Sequence, residues 1–333
     1  MLVLSQRDVT ALLPMSACIE VMAATLAALA RDQAILPLRT VIRFPDGTGA
    51  FAVMPGYLGD PKTIGAKVIT VVPGNHGTAF DSHQGAVLLF DSDNGSLAAL
   101  LDATAITTIR TAAVSAVATR ALSRQDASVL AILGAGVQGH AHLEAMCAVR
   151  PITSLRVWSR TGDHARELAA LAAERYRIAV SVARTGAEAV DGADIVCTTT
   201  SATEPVLHGE WLSPGTHVNA IGTSTANARE LDTAAVARAR LYVDRRESAL
   251  NEPGDLLVPL REGAIGAEHI VGELGEVLIG RVPARGRADE VTLFKSLGLA
   301  IEDLAAASYV CTAAARAGAG VRIELGGARR AAH

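Results

Sequence analysis

Between Pro14 and Arg31 the apolar residues Ile19, Met22, Leu26 and Leu29 recur at three- and four-residue steps, which predicts a helix with one buried face. From Thr40 to Phe90 the rhythm shortens to TVIRF, AFAVM, AKVITVV and AVLLF, separated by PDGTG, GDPK and PGNHG, and predicts strands joined by turns. AVLLF and LAALL flank DSDNGS, where Asn94-Gly95 tolerates positive φ, so this pair reads as a hairpin in a mostly antiparallel sheet. Thr104 to Leu122 returns to helical spacing with Ile106, Ile109, Ala113, Val114 and Val117.

Beyond Ser128 the pattern alternates. VLAIL, LRVWS, DIVCTT, THVNAIG and ARLYVD are candidate parallel strands, with alanine-rich helical runs such as HARELAALAAE between several of them, which predicts a doubly wound sheet. LFKSLGLAIEDLAAASYVCTAAA is apolar enough and long enough to read as one helix crossing back to the first domain, and the tail GGARRAAH as frayed. A chain of 333 residues suits two domains. The expected division is 1–120 with 304–333 as a mixed α+β domain for substrate binding and dimerisation, and 121–303 as a Rossmann dinucleotide-binding domain, α/β in class.

Composition narrows the function. Half the residues are hydrophobic and only 3% aromatic, so packing rests on Ala, Val, Leu and Ile, and disorder is excluded. A net charge of −4 with no long basic run gives no footprint for nucleic acid or an anionic membrane. The four cysteines, Cys18, Cys147, Cys197 and Cys311, lack metal-ligand or disulfide spacing and read as buried small hydrophobes. The N-terminus reaches a charge at Arg7 without a signal-peptide core, and no apolar run is long enough for a membrane span. A cytoplasmic protein with a small-molecule partner is the expectation.

LAILGAGVQG, at 130–139, carries the chemistry. The spacing G-x-G-x-x-G is weak by itself, but here a buried-strand pattern precedes it and a helical pattern follows. Gly134 permits the tight turn, Gly136 a close approach of backbone to pyrophosphate, and Gly139 close packing of helix on strand, with Val137 and Gln138 between them. The helix start offers free N–H groups and partial positive charge to phosphate. The alternative is a glycine-rich turn without a ligand. The second strand ends in Ser159-Arg160-Thr161, where an NAD binder usually has Asp or Glu. A guanidinium between two hydroxyls suits a 2′-phosphate, so NADPH is expected over NADH; the alternative for Arg160 is a solvated surface residue.

These segments resemble the ornithine cyclodeaminase/mu-crystallin family over nearly the whole chain. The resemblance rests on VMPGY at 53–57, AKVITVVPGN, the run DATAITTIRTAAVSAVAT at 102–119, LGAGVQG, TTTSATEPVL at 198–207, HVNAIG followed by ARELD, and LFKSLG at 293–298. It implies a homodimer that pairs through the mixed sheet domain, an active site in the cleft between domains, and Arg39, Lys67 and Arg110 as the holders of an α-carboxylate. Chemistry agrees for two of them. Arg110 falls in the first turns of a threonine-rich helix, where a carboxylate would meet both guanidinium and helix dipole. Lys67 lies inside an apolar strand, where an unpaired ammonium is costly and a bound carboxylate would offset the cost.

Cyclodeaminases and related alanine dehydrogenases carry an aspartate shortly after the HVNAIG-type strand. Here the aligned position is Ser224, a poor base without its own activator. The ketimine-reductase branch shares that small hydroxyl and the sequence Ser82-His83-Gln84. The resemblance therefore implies NADPH-dependent reduction of a small cyclic imino acid, with Lys67 binding the carboxylate and supporting a proton relay, and His83 as a second candidate for proton handling; His76 has less support. Thr199 and Ser201 are expected to approach the cofactor from a strand end; Ile221 is expected among the cofactor-binding residues, and the resemblance implies that Lys295 and Ser296 close the nicotinamide side. His140 and His142 are expected on an open helix face, Asp194 and Cys197 without an evident partner, and Asp244 and Glu247 as structural. The competing readings are an ornithine cyclodeaminase or amino-acid dehydrogenase with another base, and a non-catalytic NADPH-binding protein.

Overall fold

The computed structural model describes residues 1–75 and 77–326; the candidate His76 and the tail beyond Gly326 lie outside the described residues. The chain begins with β1 (Leu2–Leu4), α1 (Gln6–Leu12), α2 (Met15–Ala30), β2 (Ala34–Ile35), β3 (Thr40–Arg43), β4 (Ala50–Gly59), β5 (Lys62–Val71), β6 (His83–Phe90), β7 (Leu97–Asp102) and α3 (Ala103–Leu122). It continues with β8 (Val129–Leu133), α4 (Val137–Val149), β9 (Ser154–Trp158), α5 (Gly162–Tyr176), β10 (Ala179–Val182), α6 (Gly186–Val190), β11 (Ile195–Thr198), β12 (His217–Ala220), α7 (Thr233–Arg238) and β13 (Arg240–Val243). The remainder is α8 (Arg246–Ala249), α9 (Gly254–Arg261), β14 (Ile270–Glu273), α10 (Leu274–Leu278), β15 (Thr292–Lys295), α11 (Ala300–Ala317) and β16 (Val321–Arg322).

Two compact units result, one from Met1–Arg110 with the chain from Leu299 onward, the other Thr111–Gly298. The expected boundaries, after residues 120 and 303, fall elsewhere. α3 is one continuous helix whose first two turns belong to one unit and the rest to the other, so helical periodicity carries no mark of the division.

In the first unit, one mixed sheet has the order β16-β1-β7-β6-β5-β4-β2, with β3 also on β4. β4 to β7 pair antiparallel in sequence, and Gly95 turns the β6–β7 hairpin at φ +76°. α11 packs across β4, β5 and β6 and against α2. Along β5 the period of two places Thr63, Gly65 and Lys67 on the buried face. A Cβ on Gly65 would lie 2.0 Å from the Leu88 carbonyl oxygen and 2.9 Å from Leu304 Cδ2, so glycine lets α11 ride close over the sheet. The opposite face remains apolar and exposed at Ile42, Ile64 and Phe90.

The second unit is an all-parallel sheet of order β10-β9-β8-β11-β12-β15-β13-β14, a doubly wound arrangement with α4, α5 and α6 among its covering helices. β8 and β11 are buried almost throughout, which explains their continuous apolar sequence. LFKSLGLAIEDL is not one helix. Thr292–Lys295 forms β15 between β12 and β13, and Gly298 at φ +77° breaks the chain before α11 begins at Ala300. A short, wholly buried strand and a buried helix are both continuous apolar runs, and periodicity alone does not separate them.

Candidate active site

The first unit gathers charge beneath α11. Lys67 projects from the middle of β5, and its Nζ lies 2.7 Å from Asp303 Oδ2, with the two side chains 2% and 0% exposed. Arg110, on α3, donates from Nε to Asp303 Oδ1 and from Nη1 to Glu302 Oε2, each at 2.9 Å. Glu302 Oε2 also accepts the Leu299 N–H at 3.1 Å, so one of the two carboxylates that hold Arg110 also caps the start of α11. Thr107 Oγ1 stands 3.4 Å from Lys67 Nζ, and the positive charge of half-buried Arg39 reaches the same ammonium. The three cations implied by the resemblance thus share one cluster.

Burial pushes Lys67 down from 10.5 to about 8, with Arg110 and Arg39 adding to the fall and Asp303 resisting it. Burial pushes Asp303 up, but Arg110 and Lys67 outweigh it and hold the carboxyl below its ordinary value. The expectation that a ligand carboxylate must balance Lys67 is corrected here: Asp303 already does so. Arg110 also lies beyond the first turn of α3, where the helix dipole has faded, and its partners are protein carboxylates. Sequence reasoning passed over Glu302 and Asp303, although two acids inside LGLAIEDLAAA are a signal, since buried acids require partners.

His83 stands apart. It is exposed at the start of β6, its Nδ1 3.1 Å from Ser82 Oγ and its carbonyl accepting from Thr104 Oγ1 at 2.8 Å. Lys67 pairs with Val87, four residues along β6, which is about 13 Å at strand rise.

The second unit places the expected cofactor residues along one edge. Gly134, Gly136, Val137, Gln138 and Gly139 follow β8; Ser159, Arg160 and Thr161 follow β9; Thr199 and Ser201 follow β11; Ile221 follows β12; Ser296 follows β15. These five strands are consecutive neighbours in the order β9-β8-β11-β12-β15. The chain's connections run one way from β8 through β9 to β10 and the other way from β11, so the switch point lies between β8 and β11, where doubly wound sheets take ligands.

A dinucleotide fits this edge. Gly134 has φ +106°, and a Cβ there would lie 2.7 Å from the Thr199 carbonyl oxygen. A Cβ on Gly139 would lie 2.4 Å from the Gly134 carbonyl oxygen, which is the close approach of α4 to the turn. A Cβ on Gly136, the residue capping α4, would meet nothing within 4 Å, so space is left beside the helix N-terminus. Gln138 Oε1 is buried there with no protein hydrogen bond, and Val137 is 59% exposed. Ser159 is half-buried, Arg160 and Thr161 are exposed, and the Gly134 N–H donates to the Trp158 carbonyl, which sets the end of β9 beside the glycine turn.

Several polar residues differ from expectation. His142 is buried, not on an open face: its ring nitrogens lie 2.9 Å from Ser115 Oγ and 2.8 Å from the Gln138 carbonyl, and burial pushes it down to about 4. His140 is half-buried, with Nδ1 3.0 Å from the Gly136 carbonyl of its own helix start. Asp194 has partners, accepting the Ser128 and Val129 N–H groups and pairing with Arg124 at 2.5 Å. Cys197 lies 3.8 Å from Asn219 Nδ2. Asp244 accepts the Leu297 and Gly298 N–H groups at 2.5 and 2.8 Å, and Glu247 pairs with Arg245. Lys295 is buried against Asp255 at 3.0 Å, and the Ser296 N–H donates to the Ala220 carbonyl.

The profile of the ornithine cyclodeaminase/mu-crystallin family matches residues 1–317. The chain belongs to this family. It is 45% identical to the mouse ketimine reductase mu-crystallin over 274 residues, 82% of this chain and 83% of that one. It is 38% identical to a Δ1-pyrroline-2-carboxylate reductase of Bacillus cereus over 326 residues, 98% of this chain and all of the relative. Among solved structures, the Δ1-pyrroline-2-carboxylate reductase of Thermococcus litoralis, in complex with NADH and L-proline, matches with a TM-score of 0.95 at 37% identity, covering 97% of this chain and all of that one. In the loop after β12, Ser224 is exposed, and Thr223 Oγ1 donates to the Ala228 carbonyl at 3.0 Å to hold the turn.

Proposed function

We propose that this family member is an NADPH-dependent reductase of small cyclic ketimines, Δ1-pyrroline-2-carboxylate, Δ1-piperideine-2-carboxylate or both, giving L-proline or L-pipecolate. The observation that carries this reading is the gathering of Lys67 and Arg110 on Glu302 and Asp303 beneath α11, with the charge of half-buried Arg39 reaching Lys67, in a chain with serine and not aspartate at position 224. An ammonium and a guanidinium side by side suit a substrate carboxylate. Without an acid at 224, water and ammonia chemistry loses its base, whereas reduction of a preformed C=N bond needs none.

When bound, the nicotinamide supplies the hydride. Arg110 and Arg39 hold the carboxylate, and Asp303 and Glu302 fix the guanidinium of Arg110 so that little reorganisation accompanies reaction. Lys67, a stronger acid than an ordinary lysine, gives a proton to the imine nitrogen as its carbon accepts hydride, and regains one after the product leaves. The product is a secondary amine, with one hydride and one proton added across the C=N bond.

The sequence Ser159-Arg160-Thr161 at the end of β9 supports NADPH, because no acid stands there to repel a 2′-phosphate. The apolar outer face of the first unit's sheet, with Ile42, Ile64 and Phe90 exposed, supports a homodimer formed through that sheet. The test is oxidation of NADPH and of NADH with each cyclic imine, alongside ammonia release from L-ornithine. Turnover of an imine with NADPH preferred is the expected result; ammonia from ornithine without imine turnover overturns the reading.

A further inference from the structure

We propose that Glu230 is a positioning residue for the nicotinamide cofactor: its carboxylate holds in place the two loops that flank the crevice at the ends of β11 and β12. Glu230 is 0% exposed. Its Oε1 accepts the Thr200 N–H at 2.6 Å and the Thr200 hydroxyl at 2.7 Å. Its Oε2 accepts the Thr198 hydroxyl at 2.8 Å and the Gly222 N–H at 2.6 Å. Four donors, from the last residue of β11, the loop after it and the loop after β12, therefore converge on one carboxylate.

The loops so held are the ones that meet the phosphate turn. Thr199 Oγ1 donates to the Gly134 carbonyl at 2.7 Å, and a Cβ on Gly134 would lie 2.8 Å from Thr200 Cγ2. Gly222 shows how closely the second loop comes: a Cβ there would lie 2.0 Å from the Thr200 carbonyl oxygen and 2.4 Å from Glu230 Oε1. On its other side, the Glu230 N–H donates to Asp255 Oδ1 at 2.8 Å, and Asp255 Oδ2 lies 3.0 Å from Nζ of Lys295, the last residue of β15. One buried set of side chains thus joins the carboxyl ends of β11, β12 and β15.

A charge at this depth is costly, and burial pushes the Glu230 carboxyl up from its ordinary value, against the pull of Lys295. The strands themselves do not require it, since β11 and β12 are fully paired with each other and with their neighbours. What the carboxylate adds is a fixed backbone beyond the strand ends, in the loops that carry Thr199, Ser201 and Ile221. Preorganised loops spare a ligand the cost of ordering them.

The inference rests on the cofactor half of the proposed function and not on the imine. Its test is titration of the native chain, E230Q and T200V with NADPH and NADH in the absence of any imine, together with thermal unfolding without cofactor. Val236→Ala, a cavity on α7 in the core of the same unit, is the control for destabilisation alone. The expected result is a cofactor Kd raised about tenfold or more in E230Q and about threefold in T200V, with V236A lowering the unfolding midpoint but leaving Kd unchanged. If E230Q does not fold, T200V decides. An unchanged Kd in T200V, or an equal rise in V236A, overturns the inference. Normal cofactor binding by a native chain that reduces no imine overturns the substrate reading and leaves this one standing.

Discussion

Lys67 Nζ lies 2.7 Å from Asp303 Oδ2 with both side chains sealed from solvent, whereas Lys62 and Asp93 are 2.8 Å apart on an open surface. Nearly equal distances carry unequal consequences. Removing one partner of a buried pair leaves an uncompensated charge, so Asp303→Asn is expected to cost about 3–5 kcal/mol of stability because Lys67 and Arg110 both lose their shared acceptor. Asp93→Asn is expected to leave the urea unfolding midpoint where it is. Urea unfolding of the two variants beside the native chain checks both.

The same pair sets a pH dependence. Lys67 is pushed from 10.5 to about 8, so between those values the folded chain binds fewer protons at this site than the unfolded chain, and this group's contribution to stability rises with pH across that window. Activity has the opposite sign: if protonated Lys67 gives the proton, kcat/KM falls above about pH 8. The groups acting on the ammonium are Asp303 from α11, Arg110 and Thr107 from α3, and Arg39 from the segment before β3. Asp303 favours the charged form, so in any D303N protein that folds the alkaline limb moves to lower pH. A limb that stays in place removes Lys67 as the donor.

Much of the architecture is legible in the chain because the two units space their elements differently. In the first, short β-rich runs such as AKVITVV follow one another between turns; in the second, VLAIL is apolar throughout, as a strand buried on both sides requires, and a helical run follows it. LFKSLGLAIEDL escapes this reading, since a buried strand, a glycine break and a buried helix make one apolar run. The cations of the site were legible and their partners were not. Lys67 in a strand announces a cost, but the residue that offsets it is 236 positions away in sequence, on a helix whose register against β5 only the fold reveals. Glu230 was hidden for a related reason: its partners are backbone N–H groups and hydroxyls, which leave no charge pattern to read.

The three glycines of the phosphate turn separate folding from binding. Gly134→Ala puts a methyl 2.7 Å from the Thr199 carbonyl oxygen at φ +106°, and is expected to cost roughly 1–3 kcal/mol or more of stability. Gly136→Ala meets nothing within 4 Å in the protein, so its stability loss is expected to stay below about 1 kcal/mol. The methyl fills the space that a pyrophosphate would enter, and cofactor Kd is expected to rise about tenfold or more. Thermal unfolding without cofactor, paired with cofactor titration, distinguishes the two variants. A normal Kd in G136A means that no dinucleotide approaches this turn.

Arg160 is the residue on which the proposed preference for NADPH rests. Its guanidinium is exposed beyond the end of β9, next to the turn whose Gly134 N–H donates to the Trp158 carbonyl. A charge-assisted hydrogen bond to a 2′-phosphate is worth roughly 1.5–3 kcal/mol, and solvent around Arg160 favours the lower end of that range. Arg160→Ser is therefore expected to raise the KM for NADPH about tenfold while leaving that for NADH nearly unchanged, since NADH has no phosphate there to lose. Steady-state kinetics with each cofactor at saturating imine measures the split. An equal change for both cofactors assigns Arg160 to the shape of the β9–α5 turn, and unchanged kinetics leave it a solvated surface residue; either result removes the structural basis for an NADPH preference.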